Sequence, residues 1–367
     1  MIIRPRLNDH HNLFFRQEDV GFAIPFLDED IPLYIDPFLL WKSPSQQDNS
    51  LHTTLINSFN FVGQLFLKDE NAAIEILIKI SECNEVGLGV SKNKQGKRIG
   101  ENLAYDVLGT FKNIPQIYKR GFTHFEEIQL LVNNFSKDRV SDIAANFLKS
   151  FLIDYTIQNC QKHNIPSSKI DMEYFNTKKG KIVSEKVDLP SNPTNNMPIL
   201  LVPKRWLRAI PWLNFEDYFK HYISTSNKLL SGQDISRIEV LEYNRKNYDL
   251  VQGYVKTKKL EQKNCQNDPL FTQIPILSSK RKLNTILKLP TGKIDNSDQK
   301  YENNLSPLLA SMLYPEMDFA QIQSRTDSGV LIRDLIFYNN TSEHLLKEIY
   351  ELYGSKQIVF ELKTLKK

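Results

Sequence analysis

Glu361 and Lys363 stand two residues apart in the apolar run Gln357-Ile-Val-Phe-Glu-Leu-Lys-Thr. On a β-strand such residues share one face, so a carboxylate and an ammonium project together. Asp334 lies in the middle of a second apolar run, Val330-Leu-Ile-Arg-Asp-Leu-Ile-Phe-Tyr. An acid on a neighbouring strand completes a cluster of two carboxylates and one lysine. Burying such charges is costly unless they pair or bind metal. Mg²⁺ is commonly held by one or two carboxylates plus substrate phosphate oxygens. Such an ion activates water and stabilises charge on phosphorus. The lysine would orient that water or help deprotonate it.

The elements around these residues follow a definite order. Leu305–Glu316 reads as a short amphipathic helix and Arg325-Thr-Asp-Ser-Gly as a tight polar turn. Val330–Tyr338 reads as a strand. Thr341–Tyr353 is a helix with Leu345, Leu346, Ile349, Leu352 and Tyr353 on one face, stopped by Gly354. The run from Gln357 is the last strand.

This arrangement resembles the PD-(D/E)XK restriction-endonuclease-like superfamily over residues 305–367, about a sixth of the chain. Asp334 in Ile332-Arg-Asp-Leu-Ile-Phe and Glu361-Leu-Lys363 carry the resemblance. It implies catalysis by Asp334, Glu361 and Lys363, and Mg²⁺ or Mn²⁺ held by Asp334 and Glu361. Glu316 matches the acid that many members carry on the first core helix. The implied activity is hydrolysis of DNA phosphodiester bonds, in anti-phage defence or DNA processing in bacteria. The 27 positions from Asp334 to Glu361 accommodate an inserted helix. Family members continue after this strand with a helix and at least one more strand, whereas only Thr364-Leu-Lys-Lys follows here. The expectation is a module that is cut short, completed by another chain, or degenerate. A degenerate core would leave a non-catalytic component that binds nucleic acid or protein. A third reading is a helical regulatory protein whose last strands merely close a core.

At 367 residues, 41% hydrophobic and 25% charged, the chain has the balance of two or three globular domains. The expected class is α/β overall, of the α+β kind. Residues 1–230 read as a mainly helical recognition or regulatory region with short strands, 231–300 as a basic connecting segment, and 301–367 as the nuclease-like module. The proline-broken runs of residues 1–60 read as extended segments. Helical spacing extends from Leu51 to about Tyr174. The best helix is Ser141–His163, capped by Asp138 or Ser141 and ended by Asn164 and Pro166. Ile165–Pro198 reads as a hairpin and loop. Met197-Pro-Ile-Leu-Leu-Val-Pro reads as a short buried strand, and Phe215–Ile223 as a helix.

The net charge is only +4. Basic residues nonetheless cluster, with 14 Lys and Arg against 8 Asp and Glu over residues 226–300. Lys256, Lys258 and Lys259 are candidates for phosphate contacts. So are Lys92, Lys94, Lys97 and Arg98 in the glycine-rich stretch Gly87–Gly100, where backbone N–H groups can cradle anions. That stretch is no P-loop, because Arg98 occupies the hydroxyl position after Lys97. Trp206 and Trp212, among Lys204, Arg205 and Arg208, suit either a core or base stacking.

Cys83, Cys160 and Cys265 lie too far apart for a disulfide framework or a Cys-x-x-Cys metal site, which fits a reduced cytoplasm. The seven histidines form no His-x-x-x-His pattern, and no Gly-x-Ser-x-Gly elbow is present. No run approaches a membrane span. DNA is the expected partner, with a protein partner or a second copy of the chain left open.

Overall fold

The computed structural model describes residues 6–15, 17, 19–89, 96–223, 236–265, 276–313, 317–325, 332–339, 344–355 and 357–362. The chain is of mixed α+β type and mainly helical in its N-terminal part. It divides into two units, one of Arg6–Leu13 with Phe22–Asn267 and one of Phe14–Gly21 with the residues from Asp268 onward. The division falls inside the segment read as a basic connector.

In the first unit, short polar side chains start the helices by accepting otherwise unpaired backbone N–H groups. After a single turn, α1 (Leu7–His10), Asp36 caps α2 (Pro37–Lys42), with Pro37 at its first position. Ser45 caps α3 (Gln46–Phe66) and Asp69 caps α4 (Glu70–Lys79). α3 buries Leu55, Phe59, Val62 and Phe66 along one stripe. α5 (Glu101–Asn113) crosses it at Gly63, where a Cβ would lie 2.2 Å from the Phe111 ring. α6 (Pro115–Arg120) follows. Phe59, Phe111, Phe122 and Phe125 form the aromatic centre, their paired rings 5.2–6.0 Å apart.

The long helix expected over Ser141–His163 is two helices, α7 (Lys137–Phe147) and α8 (Lys149–His163). The break is at Leu148, whose φ of −95° and ψ of 6° leave the helical region. Ser136 stands at the N-cap position, and the Ser141 hydroxyl instead accepts from Ile35 N–H at 3.0 Å. Asn164 does end α8, in the left-handed conformation. The helical reading overran its limit, because residues from Ser168 form a strand. β2 (Ser168–Asn176) pairs antiparallel with β3 (Lys181–Leu189), and Met172, Phe175 and Leu189 are buried.

β1 (Tyr34–Ile35) pairs with β4 (Leu207–Arg208). Ile199–Val202 is buried but is no ladder strand. The prolines at 198 and 203 bracket it, and Leu200 N–H donates to Glu85 and Ala23 N–H to the Val202 carbonyl. α9 (Phe215–Asp217) runs on as π-helix over Tyr218–Ile223. α10 (Arg237–Lys246) and α11 (Tyr248–Leu260) complete this unit, burying Val240, Leu241, Val251 and Tyr254.

The second unit contains α12 (Ile276–Leu287), inside the segment read as a connector, and α13 (Ser297–Leu313), which starts eight residues before the helix expected from Leu305. An antiparallel sheet of order β5-β6-β7 follows: β5 (Met317–Arg325), β6 (Ile332–Asn339) and β7 (Gln357–Phe360). β5, bulged between Phe319 and Gln321, is absent from the sequence reading. α14 (His344–Tyr353) lies between β6 and β7 in sequence. Met317, Leu335, Phe337 and Leu346 form the core, flanked by Leu309, Leu313, Ile358 and Phe360. Among the described residues no helix is long and apolar enough to cross a membrane.

Candidate functional site

Leu335 pairs with Phe360 and Phe337 with Ile358 across β6 and β7, and all four side chains join the apolar core. Side chains alternate along a strand. Asp334, one position before Leu335 on β6, therefore lies on the face away from that core, whereas the strand expected to carry Glu361 stops at Phe360 and leaves Glu361 one residue beyond the ladder. Asp334 is half-buried and Glu361 exposed. The Asp334 carboxylate accepts Leu362 N–H at 2.5 Å, which ties the residues after β7 to β6. Lys363 and Glu316 lie outside the described residues. Two carboxylates brought together would fit Mg²⁺, whose remaining positions water and phosphate oxygens commonly fill. Among the described residues no three His, Cys, Asp or Glu side chains are grouped to hold a metal ion.

The basic candidates part company. Lys97, Arg98 and Lys256 are exposed, while Lys92 and Lys94 lie outside the described residues. Lys258 is unavailable for phosphate: it is buried, its Nζ 3.0 Å from Asp217 and 3.8 Å from the Trp212 ring centre. α11 turns Lys258 inward and leaves Lys256 outside. Lys259 lies with Nζ 5.2 Å from the Trp41 ring centre. Lys256 and Lys259 line a cleft of about 190 Å³ with Thr123, Glu127, Gln252 and Val255. Trp206 is core, its Nε1 donating to Asp48 at 3.1 Å.

Three separate sequence segments converge near Gly89, whose φ is +125°. A Cβ there would lie 2.7 Å from Asp138 Oδ1 and 3.6 Å from Asp30 Oδ2. Asp142 is buried beside them, and burial, reinforced by Glu82, Asp138 and Asp30, holds its carboxyl well above the ordinary range. Burial raises Glu82 and Asp138 as well. Asp138 and Asp142 thus belong to an acidic cluster as well as to a helix start. Next to Glu82 opens a cleft of about 370 Å³, with Asn146, Lys149 and Phe175 on its buried side and Arg98, Asp171 and Glu173 at its edge.

A third constellation was invisible in the sequence. His52 on α3 and His124 before the 3₁₀ turn Phe125–Leu130 have ring centres 5.1 Å apart. His124 Nδ1 lies 3.1 Å from Glu126 Oε1. All three residues are buried, and among the described residues no hydrogen-bond partner meets Nε2 of either histidine or Oε2 of Glu126. Burial lowers His52 to about 4 and His124 to about 3. Burial raises Glu126, Glu127 and Asp36 to about 7. A search for closely spaced histidine pairs misses this group, because 72 positions separate His52 from His124.

A family model described as "Domain of unknown function (DUF8370)" matches residues 12–214. No curated protein and no solved structure matches the chain.

Proposed function

The chain belongs to the DUF8370 family, whose description assigns no activity and whose match stops short of the C-terminal unit, and from that premise we propose that this unit is a Mg²⁺-dependent nuclease acting on DNA. The observation that carries the reading is Asp334 on β6, outside the apolar core, with Glu361 directly following the strand β7 that pairs with it. Asp334 and Glu361 would hold Mg²⁺ or Mn²⁺, and Lys363 and Glu316 are the further residues the reading assigns to the site. The ion would supply activated water and charge stabilisation at phosphorus. Exposed Lys97, Arg98 and Lys256 and partly exposed Lys259 offer phosphate contacts that need no base recognition. A cytoplasmic setting in anti-phage defence or DNA processing follows from the same reading.

Incubation of the full chain with supercoiled plasmid tests it. Cleavage should require Mg²⁺ or Mn²⁺, stop with EDTA and vanish in Glu361→Ala. A folded Glu361→Ala protein that cuts at the wild-type rate refutes the assignment.

One observation favours a second reading. The bond from Leu362 N–H gives the Asp334 carboxylate a structural task. A protein that binds DNA but never cuts it, with any divalent ion, would be a non-catalytic component on the same scaffold.

A further inference from the structure

The His124–Glu126 pair stands in the first unit and has no part in phosphodiester chemistry as assigned above. A neutral imidazole carries one N–H donor and one bare nitrogen acceptor, and the hydrogen bond at one nitrogen fixes the role of the other. Nδ1 of His124 meets Glu126 Oε1 at 3.1 Å, and Nε2 is buried with no partner among the described residues. If Glu126 is ionised, it accepts a hydrogen bond from Nδ1–H and Nε2 is bare. If Glu126 is protonated, it donates to Nδ1 and Nε2 carries the hydrogen. The two states differ by one proton, yet the imidazole is neutral in both.

We propose that His124 and Glu126 form a proton-uptake site in which protonation of the carboxyl group flips the tautomer of the imidazole. Uptake proceeds with all atoms accounted for. A proton from solvent adds to the lone pair of Nε2, forming a new N–H bond. The Nδ1–H bond then breaks, its electron pair stays on Nδ1, and the proton passes to Glu126 Oε1. The acceptor at Nε2 has become a donor.

The surroundings favour a neutral ring at both ends of this step. Phe38 stacks on His124 with ring centres 5.5 Å apart, and Trp41 meets it edge-on at 5.5 Å. Burial and, from α11, Lys259 disfavour a positive charge on the ring. Burial and Glu126 together disfavour a negative charge on Asp36, at the start of α2, which Arg208 of β4, 3.6 Å away, favours. Glu127 is occupied by Tyr248 of α11, whose hydroxyl donates to Oε2, and by His124 N–H and the Thr123 hydroxyl on Oε1. His52 of α3 is the neighbour placed to sense the exchange, its own Nε2 buried and unpartnered. Burial raises Glu126 to about 7, so the exchange falls near neutrality.

Long-range ¹H–¹⁵N spectra of the full chain with ¹⁵N-labelled histidine, recorded from pH 5.5 to 8.5, test this. The His124 hydrogen should move from Nδ1 at the alkaline end to Nε2 at the acid end. The Glu126 carboxyl ¹³C resonance should shift with the same midpoint. Glu126→Gln should hold one tautomer throughout. The proposal fails if His124 keeps one tautomer in the wild type, if both nitrogens are protonated at the acid end, or if the carboxyl and imidazole midpoints differ. The wild-type spectra alone decide the matter if Glu126→Gln does not fold.

Discussion

Arg205 grips Asp48 at two points across 157 residues of sequence: Nε donates to Oδ2 at 2.8 Å and Nη2 to Oδ1 at 2.7 Å. The Ser43 hydroxyl and Trp206 Nε1 complete the coordination of a carboxylate on α3. Burial pushes Asp48 upward, but the bonds from Arg205, Ser43 and Trp206 outweigh it and hold the carboxyl below its ordinary value. Its stabilisation is therefore present above the unfolded pKa and is lost as pH falls through the depressed one. Arg205→Ala should cost about 2 kcal/mol near neutrality, the penalty of a buried acceptor left short of partners. The gap from wild type in urea-unfolding free energy should narrow below about pH 4. A constant gap would mean that Arg205 acts by packing alone.

Gly63→Ala places a methyl group against the Phe111 ring, where the Cβ would be 2.2–2.4 Å from ring carbons. Overpacking of this kind costs roughly 1–3 kcal/mol. The double variant Gly63→Ala, Phe111→Leu should recover part of the loss in melting temperature. Equal stability of Gly63→Ala and wild type would show that α3 and α5 separate readily.

Lys256 and Lys258 are two residues apart but belong to different environments. Lys256→Ala should lower DNA affinity and flatten its salt dependence, because each phosphate neutralised releases counterions. It should leave the melting temperature unchanged. Lys258→Ala removes the ion pair to Asp217 and the contact with Trp212. It should destabilise the fold by about 1–3 kcal/mol. Fluorescence anisotropy with labelled DNA at several salt concentrations, beside thermal melts, separates the two.

Asp334→Asn and Glu361→Ala should both abolish cleavage, since Mg²⁺ requires anionic oxygen. Their stabilities should differ. Glu361 is exposed, so its removal should leave the melt within about 0.5 kcal/mol of wild type. Asp334→Ala loses the acceptor for Leu362 N–H and should cost about 1 kcal/mol. Identical melts for Asp334→Ala and Glu361→Ala would contradict the bond to Leu362.

The hairpin of β2 and β3 was legible because turn residues interrupt two polar-apolar runs, and the end of α8 because Asn164 tolerates the left-handed region. The division at Leu148 was not legible: residues on both sides keep helical spacing, and only tertiary packing changes its backbone angles. β5 was missed because a bulge interrupts the alternation after Phe319. The strand around Asp334 was legible from its apolar neighbours, but the end of β7 at Phe360, one residue before Glu361, was not, since the apolar pattern runs on through Leu362. The inward turn of Lys258 required α11 to be docked, and the meeting of His52 with His124 required a folded core.

The bond between Asp334 and Leu362 also bears on how this chain can change over evolutionary time. An acid at 334 serves the sheet even when no substrate is turned over. In a lineage released from selection for cutting, position 334 would persist for the sake of the sheet. An aspartate at 334 is then no fossil of activity by itself.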